Sequence, residues 1–131
     1  MATKKEQQPE VKNNAITLRN KRVLTLSPTK LKYFANGDFG LHLIFTKHGV
    51  ENILMAKEGR ILALKFLSAV LDKEYKEEQV ERKVEGEDPY YEIEFTFDHD
   101  LEKLFDEELS LEEFRKIIEI AKEVNGINEK N

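Results

Sequence analysis

The chain has 131 residues, no cysteine and a formal net charge of −5, with 40% hydrophobic and 36% charged residues. That length makes one domain, able to bury about two-thirds of the surface its unfolded chain exposes without a metal or disulfide. With no cysteine, disulfides, thiolate zinc sites and cysteine nucleophiles are excluded, and a reducing compartment fits.

The opening stretch, Met1 to Asn14, is polar, where a secretory signal needs an apolar run of about 7–15 residues. The longest apolar stretch, Ile61–Leu64, stops at Lys65 and resumes at Phe66, far short of the roughly 18 residues of a membrane span. A soluble, cytoplasmic protein with no membrane attachment is expected. The charge is polarised. Residues 1–73 hold 13 Lys and Arg against 6 Asp and Glu, whereas residues 74–131 hold 8 against 20. Opposed halves can drive self-association or attract a charged partner; equally, the acidic residues can be the solvated faces of C-terminal helices.

Residues 1–14 lack periodicity and read as a disordered N-terminal arm. Ile16, Leu18, Val23, Leu24 and Leu26 flank the polar tip 19–22 and predict a short hairpin or strand. Ser27-Pro28 predicts a capped helix start, continued by Leu31, Phe34 and Ala35 and stopped at Asn36-Gly37. Asp38 is placed to cap another helix with Leu41, Ile44, Phe45 and His48 on one face, and Val50, Ile53 and Leu54 form a further helical face. Ile61–Leu71 has nine apolar residues of eleven, so it must be covered almost all round. It is either the central helix of the core or a helix buried between subunits.

Asp72–Asp88 reads as a charged connection. Then Tyr91, Ile93, Phe95 and Phe97 alternate with Glu92, Glu94 and Thr96, predicting a strand near 90–97 with one wet and one dry face. Asp98 or Asp100 can cap a short helix carrying Leu101, Leu104 and Phe105. Ser110 and Glu113 form a capping-box pattern, and Leu111, Phe114, Ile117, Ile118, Ala121 and Val124 line one side of the helix that follows. Glu112 stands four before Lys116 for an ion pair, and Gly126 ends the helix. The expected fold is mainly α, within the α+β class: one helical domain over 15–127 with a short N-terminal hairpin, one additional strand and a disordered tail at 128–131.

No catalytic constellation stands out. His42, His48 and His99 lie in no nucleophile signature, and the six-residue spacing of the first two is not the i, i+4 pair of a zinc helix. Asp98-His99-Asp100 lacks the glycine and closing glutamate of a calcium loop. No phosphate-binding glycine loop is present. Lys4, Lys5, Lys12, Arg19, Lys21, Arg22 and Lys30 are basic, but no aromatic lies among the first 30 residues for a base to stack on, so nucleic acid is not expected. A non-enzymatic protein without cofactor or metal is expected.

The opening Ile16–Leu26, the apolar helix Ile61–Leu71 and the run Leu109–Ile118 ending at Asn125-Gly126 together resemble the tail assembly chaperones of long-tailed phages and prophages of low-GC Gram-positive bacteria. The similarity spans about Ile16–Gly126 and lies in size, element order and charge. It implies a helper in the bacterial host cytoplasm, with no active site, that coats the tape-measure protein and keeps it soluble until tail-tube subunits polymerise around it. A structural subunit of a tail and a host regulatory adaptor are the alternative readings. The candidate partner-binding residues are Phe114, Ile117, Ile120 and Val124. Phe114 and Ile117 are expected to face inward and Ile120 and Val124 outward; otherwise all four belong to the core.

Overall fold

A computed structural model describes residues 11–12, 14–39 and 49–127. The helix expected over Leu41–His48, residues 1–10 of the N-terminal arm and the tail 128–131 lie outside the described residues. The strands form a three-stranded sheet early in the chain and a separate two-stranded one later. Strand β1 (Val11–Lys12) pairs antiparallel with β2 (Ala15–Thr17), which pairs with β3 (Val23–Thr25) in the register Ala15↔Thr25, Ile16↔Leu24, Thr17↔Val23. The end of the stretch read as an arm is therefore an edge strand. Between β2 and β3 the Leu18 N–H donates to the Arg22 carbonyl at 2.8 Å, and Lys21 takes the left-handed conformation (φ 76°) where a glycine is usual. Ile16, Leu18, Leu24 and Leu26 point into the core.

The helix expected from Ser27-Pro28 starts later. Helix α1 runs Leu31–Ala35, its N-cap is Lys30, and no side chain caps it. The preceding residues stay non-helical because their backbone is bonded elsewhere: Leu26 exchanges bonds with Asn14, and the Thr29 N–H donates to the Asn125 side chain at 2.8 Å. Tyr33 is the buried residue of α1, whereas Leu31 and Phe34 face solvent.

Helix α2 (Val50–Leu54) leads into α3 (Gly59–Leu71), where Ala63, Leu64, Phe66, Leu67, Ala69 and Val70 are buried. Its apolar circumference is thus covered within a single chain. Phe66 meets Phe39 at 5.7 Å and Phe114 at 6.3 Å between ring centroids, joining the stretch after α1 to the last helix. A Cβ at Gly59 would sit 2.0 Å from the Ile53 carbonyl oxygen, so the α2–α3 corner can close only with glycine there.

The expectation of a mainly helical domain is corrected by the residues that follow. Lys76–Arg82, inside the segment read as a charged connection, is strand β4 and pairs along its whole length with β5 (Tyr90–Thr96), from Lys76↔Thr96 to Arg82↔Tyr90. With two separate antiparallel sheets the fold is α+β. The charged segment forms a strand because its partner supplies the aromatic and β-branched residues and because Arg82 binds both Glu92 and Glu94 across the pair.

Asp98 then caps α4 (His99–Lys103) by accepting from the Leu101 N–H at 3.1 Å. One π-helical turn, Leu104–Glu108, precedes α5 (Leu111–Val124). The α5 capping box forms as the sequence indicates, but the Glu112–Lys116 pair does not; Arg115 reaches Glu51 instead, at 2.5 Å.

Glu113 does more than cap. It is 8% exposed and accepts the backbone N–H of Arg19 at 2.7 Å as well as that of Ser110 at 2.9 Å, so it ties the first hairpin to α5. Burial alone would raise its carboxyl, but these N–H donors outweigh it and hold the pKa below the ordinary 4.5. A depressed carboxyl contributes stability that is complete above the unfolded value and is lost as pH falls through the folded one. Glu113→Gln should therefore cost about 1–2 kcal/mol at neutral pH, with the gap to wild type closing below pH 4.5 in urea titrations at both ends of that range.

Candidate protein-binding face

The β4–β5 pair is anchored at one end only. The Tyr75 ring meets Phe97 at 5.1 Å and Phe95 at 6.0 Å in tilted contacts, while the Tyr75 hydroxyl donates to the Asp38 carboxylate, 2.9 Å from either oxygen. Asp38 is buried, and burial pushes its carboxyl up, against the Tyr75 bond, Lys65 and Asn36. Lys65 projects from α3 with its Nζ 4.1 Å from the centre of the Phe95 ring. Beyond Phe95 the ribbon leaves the body.

The face expected to be dry is open there. Phe97 is buried and Phe95 half-buried, but Tyr91 is 60% and Ile93 51% exposed. The register sets β5 residues Tyr91, Ile93 and Phe95 directly opposite β4 residues Glu81, Gln79 and Glu77 on the same face. An apolar row thus runs beside an acidic row. Arg82 neutralises the opposite face through Glu92 and Glu94, whereas Glu77 and Glu81 have no ion pair among the described residues.

Residues 76–96 contain 3 Lys and Arg and 8 Asp and Glu, so the ribbon alone carries a net −5, and the rest of the chain holds 18 of each sign. The net charge of this one protruding element thus equals that of the whole chain, while outside it residues 1–73 stand at +7 and the remainder of 74–131 at −7. Within the body, cations of the first 32 residues are met by acids farther along the chain: Arg22 binds Glu108 at 3.0 Å and Asp100 at 2.5 Å, Lys30 binds Asp72 at 2.9 Å, and Lys32 binds Glu74.

The residues chosen from the sequence lie elsewhere. Phe114 and Ile117 face inward, as expected, at 2% and 0% exposure. Ile120 does not face outward: it is 4% exposed and packs in the main core, with Val124 half-buried at its margin. Helix neighbours alone do not account for this cover. The first sheet, whose Ile16, Leu18, Leu24 and Leu26 belong to the same core as α5, supplies the remainder.

No group of three or more His, Asp and Glu side chains that could hold a metal occurs among the described residues. His42 and His48 lie outside the described residues, Asp98 is occupied as a helix cap, and Asp100 is paired with Arg22. A hollow of about 290 Å³ lies between Thr25–Lys30 and the C-terminal end of α3, but its two charged residues, Lys30 and Asp72, are bonded to each other. No helix among the described residues is long and apolar enough to cross a membrane. Comparison with protein-family models, curated proteins and solved structures finds no match to this chain.

Proposed function

We propose that this protein is a non-catalytic protein-binding module and acts as a tail assembly chaperone, holding a tape-measure protein soluble in the host cytoplasm until tail-tube subunits assemble around it. The observation that carries the binding is the exposed row of Tyr91 and Ile93 on an acidic ribbon held away from the core. Large side chains left open on a charged platform favour recognition of another protein over self-packing, and aromatic residues at such positions are frequent centres of binding energy. The size, element order and charge of the chain support the choice of client.

Co-expression tests it. A tape-measure fragment that precipitates alone should remain in the supernatant with this protein and elute with it as one complex, while the protein without its client remains monomeric or weakly associated. A fragment that precipitates equally in both cases contradicts the proposal. A protein that alone closes into a ring or polymer would instead support a structural tail subunit.

A further inference from the structure

The chemistry of the partner segment can be read from the two rows on the ribbon, given that the ribbon is the binding face proposed above. We infer that the segment it receives is a cationic amphipathic helix. Its apolar stripe lies along Tyr91 and Ile93, and its Lys or Arg side chains stand over Glu77 and Glu81.

Three observations lead there. First, the apolar and acidic rows lie side by side, one per strand, about 4.8 Å apart. A helix about 10 Å across covers both rows at once. A strand added to an edge would neighbour one row only: the apolar one beside β5 or the acidic one beside β4. Second, Glu77 and Glu81 are four residues apart on a strand, which separates them by about 13 Å. Two helical turns, or seven residues, span about 10.5 Å, so cations about seven positions apart reach both carboxylates with their long side chains. Third, the ribbon carries the whole net charge of −5. Ribbon-to-ribbon contact between two copies is opposed by like charge, and nucleic acid or an anionic lipid surface is repelled for the same reason.

The test uses the full chain and two labelled 18-residue peptides: an amphipathic Leu/Lys helix with Lys flanking the Leu stripe, and its counterpart with Glu at every Lys. Anisotropy is read at about 0.01 M and about 1 M salt, where the Debye length falls from about 30 Å to about 3 Å. The Lys peptide should bind at least about tenfold more tightly than the Glu peptide at low salt. The Glu77→Gln/Glu81→Gln variant should weaken the Lys peptide about tenfold at low salt, with the difference closing at high salt. Equal affinity for the two peptides, or a Gln variant that binds like wild type at low salt, overturns the inference. Running the same variant in the tape-measure solubility assay separates the two claims. Wild-type protein that protects the fragment while the Gln variant protects it equally defeats the cationic helix and leaves the chaperone reading intact. Wild-type protein that fails to protect it defeats the chaperone reading itself.

Discussion

Truncation of Phe66 to Ala should lower the unfolding free energy by about 4 kcal/mol, a large part of the roughly 5–15 kcal/mol that holds a domain of this size. Phe66 is fully buried, and its ring is the bridge between Phe39 and Phe114. Removing it forfeits the burial of an aromatic side chain and leaves a cavity that two further rings line and cannot easily collapse into. Leu31 supplies the control: it is 81% exposed, and Leu31→Ala should change stability by under about 0.5 kcal/mol. Because α3 is covered within one chain, the wild-type unfolding midpoint should not rise with protein concentration. A midpoint that climbs with concentration would mean that an interface between subunits completes this core.

The largest effect on binding is expected from Tyr91→Ser combined with Ile93→Ser. Both side chains are more than half exposed, on the part of β5 that leaves the body. Serine lowers strand preference, which spans only about 1 kcal/mol across residue types, so the variant should fold with nearly the wild-type midpoint. Its affinity for the tape-measure fragment should fall about thirtyfold or more, the loss expected when one aromatic anchor worth about 2 kcal/mol and its neighbour are removed. Chemical denaturation and titration calorimetry on the same preparation separate the two effects. A variant that unfolds readily would show that these residues support the fold. One that is stable and binds normally would move the client surface elsewhere.

What the sequence made legible was whatever local chemistry decides. The Ser110–Glu113 capping box, the apolar run of α3, the Asp98 cap and the alternation in β5 each specify an element through neighbouring residues, and each is found. Strand β4 was not legible: Lys76–Arg82 has Val80 as its single apolar residue and owes its conformation to β5 across the pair. The start of α1 differs from the expectation because Ser27-Pro28 satisfies the local rule, while Asn14 and Asn125, distant in sequence, bond Leu26 and Thr29 and keep this stretch out of the helix.

The binding face was harder to see. A hydrophobic period of two implies a buried face, and nothing local says that the body ends at Phe95 and leaves Tyr91 and Ile93 outside it. Ile120 was misplaced for the converse reason, since its cover is not visible in the helix that carries it. One signal for the ribbon was present in the sequence: the net −5 of residues 76–96 equals that of the whole chain. It is found by counting charge in short windows, and division of the chain into halves conceals it.

Amide hydrogen exchange of the full chain, alone and with the tape-measure fragment, tests most directly whether the ribbon is the site. The free protein should exchange fastest toward the 83–89 turn, where few buried side chains cover the backbone, and slowest in α3 and α5. On binding, protection should rise in residues 77–81 and 91–95 and remain unchanged on the exposed side of α5. Protection confined to Ser110–Val124, with the ribbon exchanging as in the free protein, would contradict the account.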